Sequence, residues 1–278
     1  MTDTTADQRR KAEEFRELHA TDRPFVVANP WDAGTARVLT GLGFAALATT
    51  GAGFAHSLGR PDGHANREEI LGNAAAIAAA THLPVSADLE GGFGDTPDQV
   101  AETIRLAARA GLVGGSVEDS TGRADDPIRR LEEAAERVAA AVAAAHELDF
   151  PFTVTARAEN FFQGRPDLSD TIRRLQAYEE AGADVLYAPA LPDAESVRAV
   201  CASVGRPVNV LVGGALRLSV AELGKLGVRR ISVGSAMSRA AFGALVRAAQ
   251  EIRDHGTFTF ASEALPYTDL NRILDSGE

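Results

Sequence analysis

Short apolar runs recur along this chain, separated by longer stretches in which apolar residues return every three or four positions. The runs Pro24–Ala28, Phe44–Ala48, Pro84–Asp88, Gly115–Asp119, Phe152–Arg157, Asp184–Ala188, Pro207–Val212 and Arg230–Gly234 are apolar on both faces. That pattern predicts parallel strands covered on both sides, and the stretches between them predict helices. Helices are expected over residues 7–20, up to about Thr40, and over about 67–81 and 97–110, with another starting at Asp126-Pro127 and reaching His146. Eight strands alternating with eight helices is the rhythm of an α/β chain closed into a single (β/α)8 barrel over residues 1–278. Residues 1–22 form an N-terminal helix across one end of it, with Phe15 and Leu18 on one face, and residues 256–278 form a C-terminal extension. An open doubly wound sheet is the alternative, but Asn29-Pro-Trp-Asp32 after the first strand is not a glycine-rich phosphate turn.

An apolar content of 45% supports a large core, and the formal net charge of −11 argues against nucleic acid or an anionic membrane surface as partner. An anionic substrate would therefore need a local positive charge. Residues 1–24 are polar and no later run is long enough to span a bilayer, so a cytoplasmic location is expected. The single cysteine, Cys201, excludes an internal disulfide and reads as a packed thiol. The only lysines, Lys11 and Lys225, lie off the predicted strands, so carbonyl activation falls to a metal rather than a Schiff base.

In a barrel of this type the chemistry sits where the strands end. Asp88 and Glu90 are two apart at the end of the third strand and Glu118 ends the fourth, a set of hard oxygen ligands suited to Mg2+ or Mn2+. The competing reading is that these acids pair with Arg157 from the fifth strand, which could also clamp a carboxylate or stabilise enolate charge. The loop Thr49-Thr50-Gly51-Ala52-Gly53 offers hydroxyl and backbone N–H groups to an anionic oxygen. Gly213-Gly214 and Gly234-Ser235 resemble a barrel phosphate cup, or else plain turns. Asn209 on the seventh strand and Trp31 are further candidates to line the site. His56 and His64 fall in the predicted second loop, as acid–base groups or merely solvated ones. The loop Ser120–Asp126 has no apolar anchor and is expected to close over a bound ligand, with Arg123 as a clamp on its distal anion.

With Asn29–Gly63, Pro84–Asp95, Gly115–Asp119 and Thr155–Glu159 in hand, the chain resembles the isocitrate lyase/phosphoenolpyruvate mutase superfamily from about residue 10 to 255. The resemblance implies a (β/α)8 barrel with Mg2+ held, largely through water, at Asp88, Glu90 and Glu118. It also implies substrate oxygens on the Thr50-Gly51-Ala52 backbone, roles for Arg157 and Asp62, and dimers or tetramers paired by exchange of the last barrel helix. The family usually has Asp where this chain has Glu90. Its isocitrate and methylisocitrate lyases carry a cysteine-bearing loop after strand four, where this chain has Asp119-Ser-Thr-Gly-Arg-Ala-Asp-Asp-Pro127, without cysteine or histidine. Their glutamate after strand six falls near Pro189, and the mutase's histidine near Ala188. Their carboxylate-binding set after strand seven becomes Leu211-Val212-Gly213-Gly214.

The expectation is a Mg2+-dependent enzyme that cleaves a C–C bond of a small 2-oxo or 2-hydroxy carboxylic acid through a metal-stabilised enolate. Phosphorus–carbon bond chemistry, as a mutase or phosphonopyruvate-type hydrolase, is the alternative reaction. A barrel that binds without catalysis is the alternative of another class. The apolar tail beyond Gly256 suggests a homodimer or homotetramer.

Overall fold

The structure, a computed structural model, describes residues 4–214 and 216–276. Eight strands close into one parallel barrel in chain order: β1 (Phe25–Ala28), β2 (Ala46–Ala48), β3 (Val85–Asp88), β4 (Gly114–Glu118), β5 (Thr153–Arg157), β6 (Val185–Tyr187), β7 (Val208–Leu211) and β8 (Arg230–Ser232). Seven of the predicted runs contain their strand, and β4 starts one residue before its predicted run. β1 pairs with β8 to complete the ring, in the register Phe25↔Arg230 and Val27↔Ser232.

Before the barrel comes α1 (Thr4–Ala20). Its Phe15 is fully buried and packs edge-on to His19 and Phe25, and the Gln8 amide donates to the carbonyls of Ala108 and Leu112. The helix thus lies across the N-terminal ends of the strands, as expected, and leaves their C-terminal ends open.

The connections are α2 (Ala33–Gly41), α3 (Gly51–Ser57), α4 (Arg67–Ala79), α5 (Pro97–Arg109), α6 (Leu131–His146), α7 (Leu168–Glu180), α8 (Ala194–Ser203) and α9 (Val220–Lys225). Several start where the sequence supplies a reciprocal cap: Asp32 with Thr35, Asn66 with Glu69, Thr96 with Gln99 before Pro97, and Ser219 with Glu222. After β8 come α10 (Ala236–His255), a short 3-10 turn and α11 (Tyr267–Ser276), which packs on α2.

Two local expectations are corrected. Thr49–Gly53 is not an open loop, because Thr50 caps a helix there by accepting from the Gly53 N–H at 3.2 Å. Asp126-Pro127 does not begin a helix either: Ile128 bridges back to Ser120, so the chain makes a closed turn before α6 starts at Leu131.

Candidate active site

The strand ends open into a cleft of about 840 Å3. Its floor is acidic. Asp88 ends β3 and Glu118 ends β4, while Glu90 follows β3 in a left-handed backbone conformation with φ 49°. Ligand oxygens of these three residues all lie within 4.8 Å of one another.

Arg157 at the end of β5 sits among them. Its Nη1 donates to Asp88 Oδ1 at 3.0 Å and its Nε to Glu159 Oε1 at 3.0 Å, and its Nη2 lies 3.1 Å from Glu118 Oε2. The guanidinium also lies 5.1 Å from the centre of the Tyr187 ring, a cation–π contact. All three nitrogens are therefore engaged with protein carboxylates, and the side chain both balances their charge and lines the cleft.

One arginine does not neutralise four acids. The charge of Asp88, with burial, pushes the Glu90 carboxyl up to about 8, against the pull of Arg157. Burial raises Glu118 well above the usual carboxylate range, and Glu159 above it as well, although Arg157 opposes both shifts. Burial works against the guanidinium too, but Glu118, Glu159 and Asp88 hold Arg157 well above its ordinary value. Such a cluster requires protons or a further cation. The donors are all hard oxygens, which fits a divalent ion of the Mg2+ or Mn2+ kind. Gly51 makes room for the group: a Cβ built there would lie 2.4 Å from Glu90 Oε1.

α3 aims its N-terminus at this floor. The Gly51 N–H faces Asp88 Oδ2 at 3.5 Å, and Thr50 and Ala52 line the cleft beside it. The sequence-predicted backbone donors are therefore present, as the first turn of a helix rather than a loop. Asp62 lines the cleft as well, and its charge helps raise Glu90.

Several predicted residues do not line the cleft. Thr49 is buried and its hydroxyl accepts from the Asp88 N–H at 3.0 Å, so it orients the strand end from below. Asn209 lies inside the barrel, taking a hydrogen bond from Arg230 Nε and giving one to Ser232, beside a void of about 60 Å3 beneath the acids. Trp31 packs next to Gly53, and its carbonyl accepts from Asn73. Arg123 is exposed and paired with Asp126 at 2.8 Å within its own turn. His56 lies on α3 against Phe242, and the exposed His64 bonds the Asp62 carbonyl. Among the described residues lining the cleft there is no histidine, cysteine or lysine.

Sequence reasoning missed Arg239, in the first turn of α10. It lines the cleft, touches the Gly213 carbonyl at 3.5 Å and has no carboxylate partner among the described residues. Its signal was its place one turn beyond Gly234-Ser235, which had been read only as backbone. Glu159, which closes the Thr155–Glu159 motif, drew no role from the sequence; it is buried, and its N–H donates to Asp119 Oδ1. The same cleft has an apolar part, lined by Leu191, Leu211, Val212 and Leu216.

Comparison with known proteins places this geometry in context. The family model described as phosphoenolpyruvate phosphomutase matches residues 15–253. The chain is 30% identical over 258 residues to the 2-methylisocitrate lyase of Escherichia coli K12, covering 87% of this chain and 84% of that one. Among solved structures, a Burkholderia cenocepacia J2315 protein, whose description as a lyase or mutase is itself inferred, superposes with a TM-score of 0.94 at 58% identity over 96% of each chain. A phosphonopyruvate hydrolase solved with oxalate and Mg2+ superposes with a TM-score of 0.85 at 27% identity, over 95% of this chain and 94% of that one.

Proposed function

Because the chain belongs to the isocitrate lyase/phosphoenolpyruvate mutase superfamily, we propose that it is a divalent-metal-dependent lyase cleaving a C–C bond of a small 2-oxo or 2-hydroxy carboxylic acid. The observation that carries this reading is the convergence of Asp88, Glu90 and Glu118 to within 4.8 Å around a single arginine. These three acids would hold Mg2+ or Mn2+, which when bound supplies a Lewis acid for the 2-oxygen and for the enolate charge that cleavage leaves.

The chain's own residues do the rest. Arg157 keeps Asp88, Glu118 and Glu159 in place and offsets part of their charge. The N–H groups of Gly51 and Ala52, at the start of α3, take the substrate's first carboxylate. Arg239 takes the distal anion. Leu191, Leu211, Val212 and Leu216 keep water away from the bond that breaks. With no histidine, cysteine or lysine among the described residues lining the cleft, the closing proton comes from water or from a hydroxyl such as that of Thr50, Ser120 or Thr121.

Arg239 beside Gly213 and Ser235 also favours a second reading, in which the distal anion is a phosphonate and a phosphorus–carbon bond breaks. A Mg2+-dependent assay separates the readings. Pyruvate or carbon dioxide released from oxaloacetate or methylmalates supports the lyase, and phosphate released from phosphonopyruvate supports the hydrolase. No turnover by protein that binds Mn2+ would leave a binding barrel. Asp88→Ala is expected to abolish Mn2+ binding and turnover while the circular dichroism spectrum is retained; unchanged Mn2+ affinity would refute the metal assignment.

A further inference from the structure

Glu90 does not continue β3. The chain leaves the barrel through Glu90, Gly92 and Phe93 at φ 49°, 78° and 54°, left-handed positions that only glycine adopts without strain. Gly92 is moreover pressed against Val100, where a Cβ would come within 2.8 Å. This turn fixes where the Glu90 carboxylate points, so whatever holds the turn also holds the carboxylate.

Two buried side chains from the outer helices hold it. Arg137 on α6 is only 1% exposed, yet it is a charged residue on the inward face of a helix otherwise buried through alanines and valines. Its Nη2 donates to the carbonyls of Gly91 and Gly94, the latter at 2.8 Å. Its Nε and Nη1 have no hydrogen-bond partner among the described residues. A buried guanidinium so incompletely satisfied costs stability that an aliphatic side chain would not, so packing alone does not explain it. Thr103 on α5, fully buried, donates to the remaining glycine carbonyl between them, that of Gly92, at 2.8 Å. Three carbonyls of one strained turn are thus captured by two side chains from behind, on the side away from the cleft.

We propose that Arg137 and Thr103 are positioning residues that hold the Gly91–Gly94 turn left-handed and so fix Glu90 in the divalent-ion site. The inference rests on the metal reading of Asp88, Glu90 and Glu118. Arg137 touches no acid of that set, and its action runs through backbone carbonyls only.

The test is a double-mutant cycle on Mn2+ affinity, read by calorimetry on the full chain. Arg137→Met, which keeps the side-chain length and removes the donors, is expected to weaken Mn2+ binding about 10-fold with the circular dichroism spectrum retained. In a Glu90→Gln background the same substitution should change affinity less than about twofold, because its target is already lost. An equal loss in both backgrounds means that Arg137 acts on the barrel at large and overturns the proposal, as does an unchanged affinity in Arg137→Met alone. If Arg137→Met does not fold, Thr103→Val serves in the same cycle, with the same two overturning results. A wild-type protein that binds no Mn2+ removes the metal reading itself. Wild-type binding with an unaltered cycle removes only the clamp.

Discussion

Replacing Gly51 by alanine tests the acid cluster with a single carbon atom. The new Cβ would fall 2.4 Å from Glu90 Oε1 and 3.5 Å from Asp88 Oδ2. Ordinary contact begins near 3.4 Å, so the Glu90 oxygen must retreat by about 1 Å. It can do so, because it is the far end of a flexible side chain and not backbone. Moving one negative charge from about 4 to about 5 Å from a divalent cation weakens their attraction by about 1.7 kcal/mol at an effective dielectric of about 20. That corresponds to about a 15-fold loss of Mn2+ affinity. The fold should not suffer, since alanine at a helical position restricts the unfolded chain and contributes about 0.4–1 kcal/mol of stability. Calorimetric Mn2+ titration alongside thermal unfolding measures both effects. Gly214→Ala is the control, a cleft-lining glycine with open space where its Cβ would stand. Equal Mn2+ affinity in Gly51→Ala and wild type would refute the placement of Glu90 in the ion site.

Arg239→Met should lower kcat/KM by about 10- to 100-fold, the worth of a charge-assisted hydrogen bond, with Mn2+ affinity unchanged; Arg123→Ala should alter neither, and steady-state kinetics of the two variants decides between them. Burial and the nearby Arg230 lower the His19 pKa from 6.5 to about 3. The folded protein thus keeps His19 neutral where the unfolded chain protonates it, and stability falls as pH drops below 6.5 towards 3, by up to about 1.4 kcal/mol per pH unit. His19→Gln should flatten the pH dependence of the urea midpoint by that amount, and an unaltered slope would show that His19 does not titrate this way. Only Ser238 of α10 is buried, while Leu245, Val246, Phe258 and Tyr267 are at least half exposed. Light scattering at micromolar concentration is expected to show a dimer or tetramer that Leu245→Glu dissociates, and a wild-type monomer would contradict it.

The barrel was legible because a strand buried on both faces writes itself as an unbroken apolar run, and Asp88, Glu118 and Arg157 stood out as charges ending such runs. The first turn of α3 was not legible. Gly51-Ala52-Gly53 is poor in helix propensity, and it is the Thr50 cap and the closing barrel that make it helical. Asp126-Pro127 imitated a helix start, but the bridge from Ser120 to Ile128 takes those residues first. Arg123 was read as a clamp that closure of the Ser120–Asp126 loop brings to the ligand, and here it pairs with Asp126, three residues away, a local contact that the sequence reading did not weigh. Arg239 was invisible for the opposite reason: its value lies in a long-range fact, the approach of the first turn of α10 to the Gly213 carbonyl beyond β7.

Arg157 meets Asp88, Glu118 and Glu159 through three different nitrogens. A lysine carries its three donors on a single nitrogen and lacks the planar fork that reaches three separately placed acids. Losing any one acid strands a donor, and losing the arginine strands all three acids at once. Change at these four positions is therefore tied together in descent: a lineage that alters one must pass through a damaged intermediate unless another changes with it. Across the chain's relatives, these positions should be kept or replaced as a group, even where the loops around them diverge.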